Sequence, residues 1–273
     1  MKNNKKLSFI ICAYKDSPYL EECIKSLLNQ KVKCSVAIST STPNKLVEDL
    51  ASKYKIPLYI NKKSNGYYED FLFAFNKAKT PYVTLCHQDD VYLENYSIEV
   101  LKKIEKAKDN LIIFSNYYDY KNDNIIKKSK LLFVKRLLNF LLGFRIFQNF
   151  KFVRRRILSL GNPICSPTVT FNKDLIVEPV VKCPYRTSHD WYTWIDFSNK
   201  KGKFVYIRKP LLLRRINEFS ETTLVIADNS KQKSDYEIFK IFWPDWIAKN
   251  ILKLYSTSEK NNTIKKEEKE ESR

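Results

Sequence analysis

Short apolar-rich runs alternate with amphipathic segments from Leu7 to Tyr118. The runs predict buried strands at 7–13, 33–39, 56–60, 82–86 and 111–118. Apolar residues recur at helical spacing after Ser17, Pro43 and Gly66 and again beyond residue 93, so a helix is predicted behind each of the first four strands. This alternation predicts an α/β fold with a mostly parallel sheet covered by helices on both faces.

The second half of the chain shows the same kinds of pattern with longer gaps between them. It predicts a strand over 166–172, a helix over 188–199, one or two strands over 203–215 and further helix from about 235 to 254. The remaining stretch, from Ser256 to Arg273, is polar and lacks core-forming residues. We expect this tail to be disordered.

Two adjacent carboxylates, Asp89 and Asp90, follow the predicted strand at 82–86. In parallel α/β sheets, ligands bind at the carboxyl ends of the strands. The pair can cap the following helix, or hold a divalent cation through hard oxygen ligands. An acid/base pair is a weaker hypothesis, because neighbouring side chains on an extended backbone point in opposite directions. A nucleotide substrate would favour the cation.

The composition is strongly basic, with 49 Lys and Arg against 30 Asp and Glu and a net charge of +19. Such a charge attracts nucleic acid, anionic lipid or phosphorylated small molecules. With only four glycines, the chain contains neither a GxGxxG nor a GxxxxGK[ST] sequence, so dinucleotide-binding and P-loop signals are absent. No recognised RNA- or DNA-binding motif occurs either, and nucleic acid is not an expected partner.

The cysteines and the N-terminus indicate a cytoplasmic protein. None of the six cysteines forms a CxxC pair and several lie in apolar runs, which predicts buried free thiols and no disulfide framework or zinc site. The apolar stretch near the N-terminus ends at Lys15 and is too short for a signal peptide. No apolar run reaches membrane-spanning length.

Three blocks of the sequence resemble family 2 glycosyltransferases. SFIICAYKDSPYLEECIKSLLNQ resembles the opening strand and helix of that family, and EDFLFAFNKAKTPYVTLCHQDDVY resembles the helix, strand and "DQDD" loop of its nucleotide-binding half. SHDWYTWIDFSNKKGKFVYIRKPLLLRRINEFSETT resembles the acceptor-binding half, with its "hDw" helix start and "RxHxxSxT" segment. The blocks occur in the family's order and cover roughly residues 7–118 and 160–223.

The resemblance implies a GT-A fold and inverting transfer of a sugar from a nucleotide-sugar donor to an acceptor hydroxyl. It implies that Asp89 and Asp90 bind Mn²⁺ or Mg²⁺, with His87 as a further candidate ligand, and that Asp190 is the general base. The nucleotide-binding residues it implies are Ala13, Tyr14, Asp16, Ser39, Asp70, Asp89 and Arg215. Asp190 could instead be an acidic residue of a helix first turn, and Arg215 an exposed strand cation.

The resemblance is incomplete at four places. The acidic loop that usually ends the second strand reads AISTS here, so the hydroxyl of Ser39 stands where a carboxylate is usual. His87 replaces the first acid of "DQDD"; imidazole suits Mn²⁺ better than Mg²⁺, and it could also donate to phosphate or be structural. Asn217 replaces the histidine of "RxH", and the absence of a QxxRW signature favours transfer of a single sugar over polymerisation.

The expected organisation has five parts. These are a nucleotide-sugar-binding half at 1–120, a basic helical insert at 121–160, an acceptor-binding half at 161–225, a C-terminal helical extension at 226–255 and the tail at 256–273. A UDP-sugar is the expected donor, and a glycan or lipid-linked oligosaccharide the expected acceptor. The departures from the motif also permit a non-catalytic scaffold or chaperone of glycosyltransferase type, and the charge permits a nucleic-acid-binding protein.

The basic insert contains ten Lys and Arg and no acidic residue between Lys127 and Arg156, interleaved with Leu, Phe, Ile and Val. As one or two helices it would present apolar and basic faces, which suits the interface of an anionic membrane. Trp243 and Trp246 add side chains that favour the same zone. Packing of both segments against the core and a homodimer interface are the alternatives.

Overall fold

The structure of the protein, a computed structural model, describes residues 4–216 and 230–260, with side chains to Ser256. The strands are β1 (Asn4–Ala13), β2 (Cys34–Thr40), β3 (Leu58–Ile60), β4 (Tyr82–His87), β5 (Val91–Tyr92), β6 (Asn110–Lys121), β7 (Asn124–Ile126), β8 (Thr170–Asn172) and β9 (Lys203–Arg215). The α-helices are α1 (Leu20–Leu28), α2 (Lys45–Lys53), α3 (Tyr67–Lys77), α4 (Tyr96–Lys106), α5 (Lys130–Asn139), α6 (Lys151–Leu158), α7 (His189–Ser198), α8 (Ser230–Lys240) and α9 (Asp245–Lys260).

All nine described strands belong to one sheet, with the order β3-β2-β1-β4-β8-β6-β9-β5 and β7 paired to the side of β6. The first four strands in this order are parallel, as the alternation of strands and helices predicts. The short β8 runs antiparallel to both β4 and β6, and β6 and β9 are again parallel. The carboxyl ends of β1, β2, β3 and β4 therefore lie along one edge.

Helices cover both faces of the sheet, so the predicted fold class is confirmed. On one face α1, α2 and α4 bury residues such as Leu20, Val47 and Val100 against alternate residues of β1. On the other face α3, α6, α7 and α8 form a second cluster, which contains the fully buried Trp191 and Trp194. Both β1 and β4 contribute side chains to both clusters, because successive strand residues point to opposite faces of the sheet.

The structure corrects the strand expected over 166–172. Residues Ser166–Thr168 form a 3₁₀ turn and only Thr170–Asn172 join the sheet as β8. Pro167 has no amide hydrogen to donate to a neighbouring strand, so the ladder does not extend back through it.

The C-terminal helical extension is two helices, because Pro244 lies between α8 and α9. α9 continues past Ser256, where the tail is expected to begin, to Lys260. Its last part, 261–273, lies outside the described residues, as does Asn217. Across the described ranges, no helix has the length and apolar character that crossing a bilayer requires.

Candidate active site

The adjacent carboxylates lie where the sequence predicts them, in the loop between β4 and β5. His87, Asp89 and Asp90 each offer one ligand atom within 4.8 Å of the others. Asp90 is buried, while His87 and Asp89 are half-buried. Because β1 and β4 are neighbours and Cys12 aligns with His87, this cluster sits beside the end of β1.

Arg215, the last residue of β9, holds this loop in place. Its backbone N–H donates to Asp90 Oδ1 (2.9 Å), and its Nε donates to the carbonyl oxygen of Asp89 (2.9 Å). The guanidinium also pairs with Glu22 of α1 and lies between the rings of Tyr19 and Tyr120, 4.1 Å and 4.4 Å from their centroids. With 7% of its side chain exposed, Arg215 is not the exposed strand cation that the sequence also allowed.

The environment of Asp90 disfavours a bare negative charge. Burial raises its pKa well above the usual range, and the neighbouring charge of Asp89 raises it further. The N–H of Arg215 and the charges of Arg214 and Arg215 act in the opposite direction, but burial prevails. A bound divalent cation would supply the positive charge that this carboxyl group lacks.

The donor set fits such a cation. Two carboxylates and an imidazole are ligands that Mn²⁺ accepts, whereas Mg²⁺ prefers oxygen ligands alone. Ligand atoms on opposite sides of one ion lie about 4–5 Å apart, so a cluster whose atoms lie within 4.8 Å of one another has the required size. His87, Asp89 and Asp90 are therefore the residues that would hold a metal here.

Gln88 connects this loop to the turn after β1. Its side chain accepts a hydrogen bond from Tyr14 N (3.1 Å) and donates one to Tyr14 O (2.9 Å). The pair fixes the backbone directly beyond Ala13, the buried final residue of β1. Tyr14 and Asp16 are exposed in this turn, so their side chains are available to a ligand at this edge of the sheet.

Asp70, on the first turn of α3, is held by the ends of two strands. Ser41 Oγ donates to Asp70 Oδ2 (2.7 Å), and Asn61 Nδ2 donates to Asp70 Oδ1 (2.8 Å). Ser39 is buried within β2, where it aligns with Cys12 of β1 and Tyr59 of β3. The hydroxyl that meets Asp70 is therefore that of Ser41, two residues further along.

Asp190 lies in the first turn of α7, a position that fits both a general base and an acidic residue of a helix start. Its Oδ1 accepts a hydrogen bond from the N–H of Trp191 (2.8 Å), as expected of an acidic residue near a helix N-terminus. Its Oδ2 accepts one from Asn162 Nδ2 (2.8 Å). Asn162 follows α6, so this contact joins the stretch directly after the basic insert to the start of α7.

The start of α7 is also tied to α8. Ser188, which precedes α7 with a left-handed φ of 63°, donates from Oγ to Asp235 Oδ1 (2.6 Å). Asp235 is buried and accepts a second bond from Lys231 Nζ (2.6 Å). The C-terminal helices thus fix the backbone immediately before Asp190.

Aromatic rings connect Asp190 to the metal-ligand cluster. The ring of His189, next to Asp190, stacks on Tyr67 with centroids 5.2 Å apart. Tyr67 contacts Phe71 at 4.1 Å, and Phe71 contacts His87 edge-on at 6.0 Å. This continuous row of rings runs across α3 from the candidate base to a candidate metal ligand.

Sequence reasoning missed the polar residues that fix these groups, namely Glu22, Asn61, Gln88 and Asn162. Gln88 was visible, because it lies inside the "HQDD" motif. The other three lie 9 to 193 residues from their partners, so only the folded chain brings them together.

Comparison with protein families and solved structures agrees with this geometry. The model of the family described as Glycosyl transferase family 2 matches residues 8–177, more than half of the chain. No curated protein sequence gives a match.

Solved structures that are similar to this chain have the same fold at low sequence identity. One is Staphylococcus aureus TarS residues 1–349 in complex with UDP-GlcNAc, with a TM-score of 0.60 and 13% identity over 94% of this chain and 73% of that one. Another is the mannosyltransferase PcManGT from Pyrobaculum calidifontis with GDP-Man and Mn²⁺, with a TM-score of 0.58 and 10% identity over 94% and 70%.

A third is glucosyl-3-phosphoglycerate synthase from Mycobacterium tuberculosis with Mn²⁺, UDP and glucosyl-3-phosphoglycerate. Its TM-score is 0.54, with 12% identity over 84% of this chain and 77% of that one. The matched residues include the strands and the loop that carry the candidate metal ligands. The chain belongs to glycosyl transferase family 2 and is a transferase with the GT-A fold.

Proposed function

We propose that this protein is an inverting, metal-dependent glycosyltransferase that moves a single sugar from a nucleoside diphosphate sugar to an acceptor hydroxyl. The observation that carries the proposal is the grouping of His87, Asp89 and Asp90 within 4.8 Å beside the end of β1. The side chains of Tyr14 and Asp16 flank the same edge of the sheet, where a nucleotide would lie.

The donor we propose is a UDP-sugar. Two of the similar structures contain UDP or UDP-GlcNAc, and a third contains GDP-Man, so diphosphate nucleotides are common to all three. In this chain the hydroxyl and amide groups of Ser41 and Asn61 surround Asp70, which leaves its carboxylate oriented at the ends of β2 and β3. We propose that the carboxylate of Asp70 contacts the nucleoside of the donor.

The metal, when bound, would neutralise charge on the departing diphosphate. Asp89 and Asp90 would hold it, with His87 as third ligand, and Arg215 would act through its bonds to the Asp89–Asp90 loop. Asp190 would accept the proton of the acceptor hydroxyl as that oxygen attacks the anomeric carbon from the face opposite the diphosphate. The C–O bond to the diphosphate breaks as the new one forms, and the configuration inverts.

The acceptor we propose is a glycan or lipid-linked oligosaccharide, in the synthesis of a cell-surface polysaccharide. The chain lacks the QxxRW signature of polymerising synthases, which supports the transfer of one sugar at a time. The polar pair of Asn162 and Asp190 would face the acceptor hydroxyl.

The test is calorimetric titration of UDP into the protein with and without Mn²⁺. The expected result is metal-dependent binding that Asp89→Asn or Asp90→Asn weakens about 100-fold or more, because each removes a ligand charge from the cation. Asp49→Asn, an exposed acidic residue on α2 paired with Lys45, is the matched control and should bind like the wild type.

Absence of UDP binding both with and without Mn²⁺ would favour a non-catalytic scaffold. If UDP binding occurs and does not depend on metal, the assignment of the three ligands is wrong. A panel of nucleotide-sugars, screened for release of the nucleoside diphosphate, would then identify the donor.

A further inference from the structure

The basic insert exposes large apolar side chains that the core does not cover. Six of them are between 41% and 72% exposed: Phe133, Leu137, Phe140, Phe144, Phe150 and Phe152. We call these six residues the aromatic surface. Single exposed apolar residues are ordinary, but a series of five phenylalanines and a leucine within twenty positions of one segment indicates a binding surface.

The aromatic surface is continuous at its centre. The rings of Phe140 and Phe144 have centroids 5.2 Å apart, and ring contacts continue through Phe147 to Phe150 at 6.4 Å and 6.5 Å. Arg208 of β9 lies against Phe140 and Phe144, so these rings are anchored to the sheet. On α5, Phe133 and Leu137 are four positions apart and share one helix face.

The cations of the insert divide into two groups. Lys135, Arg136, Arg154 and Arg155 are partly or fully buried and contact the fold; Arg154, for example, donates to the carbonyl oxygens of Gly202 and Lys200. The other six cations are exposed: Lys127, Lys128, Lys130, Arg145, Lys151 and Arg156. Residues 127–156 contain no acidic residue to neutralise them.

The corner between α8 and α9 adjoins the aromatic surface. The guanidinium of Arg156 lies over both Phe152 and Trp243, and Trp243 donates from its ring nitrogen to Ser159 O at the end of α6 (2.7 Å). Trp246, at the start of α9, is 68% exposed. Exposed indole side chains are typical of the headgroup level of a bilayer.

We propose that the aromatic surface, with the six exposed cations around it, docks on an anionic lipid bilayer. Phenylalanine side chains would enter the headgroup region while lysine and arginine side chains contact lipid phosphates. Packing of the whole insert against the core, with only cations exposed, does not describe this surface. The docking requires neither donor nor metal, so it can be tested independently of the proposed reaction.

Charge favours a bilayer over a second copy of the chain. In a symmetric dimer the same patch occurs on both subunits, so the exposed cations would face one another without acidic partners. An anionic lipid surface offers complementary charge at every position. The insert also leads directly to Asn162, so a lipid-linked acceptor would reach Asp190 from the docked side.

The test is co-sedimentation of the full chain with vesicles. The probes are vesicles of phosphatidylglycerol and phosphatidylcholine in equal amounts, and vesicles of phosphatidylcholine alone. The expected result is binding to the mixed vesicles that is at least about tenfold stronger than to the neutral vesicles and weakens as salt is added.

One variant removes three of the most exposed members of the aromatic surface: Phe133→Ser, Leu137→Ser and Phe152→Ser. It should lower the partition coefficient on mixed vesicles at least about tenfold, because less apolar surface enters the bilayer. The matched control, Leu46→Ser, Leu175→Ser and Val177→Ser, changes exposed apolar residues elsewhere and should bind like the wild type.

A second variant neutralises exposed cations of the insert: Lys127→Gln, Lys128→Gln, Arg145→Gln and Lys151→Gln. Its control neutralises four exposed lysines outside the insert: Lys5→Gln, Lys79→Gln, Lys106→Gln and Lys108→Gln. Both lower the net charge equally. The insert variant should lose at least about tenfold more affinity for mixed vesicles than its control.

Equal losses in the two charge variants would overturn the proposal, since they would show that net charge alone drives binding. So would vesicle binding that the three apolar substitutions leave unchanged. Light scattering gives the third outcome: a dimer that those substitutions dissociate, without vesicle binding by the wild type, would assign the surface to a second copy.

Discussion

At the scale of single residues, Asp190 makes two contacts, one suited to a structural role and one suited to a catalytic role. Its bond from the N–H of Trp191 supports the first turn of α7, while its bond from Asn162 leaves an oxygen that can exchange partners. In the proposed reaction this oxygen would also accept a hydrogen bond from the acceptor hydroxyl, because a carboxylate oxygen has two lone pairs.

Replacing Asp190 separates these roles. Asp190→Asn keeps the shape of the side chain but cannot take a proton, so kcat should fall about 100- to 10,000-fold. The donor KM and the affinity for UDP should stay close to those of the wild type, because Asn does not disturb the nucleotide. Release of nucleoside diphosphate from the donor measures both constants.

Asp196→Asn, on the same helix and paired with Lys200, is the control and should turn over normally. Normal turnover by Asp190→Asn would refute the assignment of the base and leave Asp190 as a helix-start residue.

No pattern in the sequence singles out Asp119. It is buried, and it pairs with the guanidinium of Arg214 through Nη2 (2.7 Å) and Nε (2.9 Å), one residue before Arg215. Removal of one partner leaves the other as an uncompensated buried charge. Asp119→Ala should therefore lower the free energy of unfolding by about 3–5 kcal/mol, measured by urea denaturation.

Asp109→Ala is the contrasting variant. Asp109 pairs with Lys203 at 2.7 Å, but 54% of its side chain is exposed. Its loss should cost no more than about 1 kcal/mol. Similar costs for the two variants would mean that burial of the Asp119–Arg214 pair is not what stabilises this end of β9.

At the scale of secondary-structure elements, α9 ends later than the sequence indicates. Tyr255 packs against Trp191 of α7 and Phe239 of α8, with ring centroids 5.7 Å and 5.6 Å apart. A Cβ atom at position 161 would lie only 2.7 Å from Cε2 of this ring, so Gly161 gives the ring the space it needs. The end of α9 therefore belongs to the core around the start of α7.

Truncation tests this boundary. A chain that ends at Lys260 should keep its activity and melting temperature, since Ile264 is the only apolar residue among those removed. A chain that ends at Leu254 should melt several degrees lower, because it loses the ring contacts of the partly buried Tyr255 with Trp191 and Phe239. Differential scanning calorimetry of both chains is the measurement; equal melting temperatures would show that the Tyr255 contacts are dispensable.

The sequence predicts elements well where burial alone defines them. β1, β2 and β4 follow apolar runs and agree with expectation within about one to three residues, and the helices behind them begin after the expected turns. β8 is different, because Pro167 lies in a 3₁₀ turn and the strand begins only at Thr170. Ser39 and Ser41 show the limit at the site: composition permits either hydroxyl near the ligand, but only the strand register decides which one meets Asp70.

At the scale of the whole molecule, the burial of the six cysteines shows how well the helices shield the sheet from solvent. All are free thiols, and none is exposed. Burial raises the pKa of Cys34 and Cys165 to about 12, and those of Cys12, Cys23 and Cys86 also lie above the usual range. Expected from the sequence as buried thiols, they lie on both faces of the sheet.

Alkylation measures this enclosure. The thiolate is the reactive form, so a raised pKa means fewer thiolates at pH 8 and slower labelling. Iodoacetamide at pH 8 should label the native protein slowly and all six positions quickly in urea. The rate for Cys34 should still rise about tenfold per pH unit up to pH 10, below its pKa of about 12. A plateau near pH 9 would show an ordinary, accessible thiol.

The bond from Arg215 to Asp90 has a consequence for how the sequence can vary. It comes from the backbone N–H, which every amino acid except proline provides, whereas the bonds to Asp89 and Glu22 come from the guanidinium. In a saturation library at position 215, proline alone would strip the buried carboxylate of its donor. Other replacements would keep that donor and weaken only the attachment of the loop. We therefore expect position 215 to tolerate many amino acids with a partial loss of function and to exclude proline.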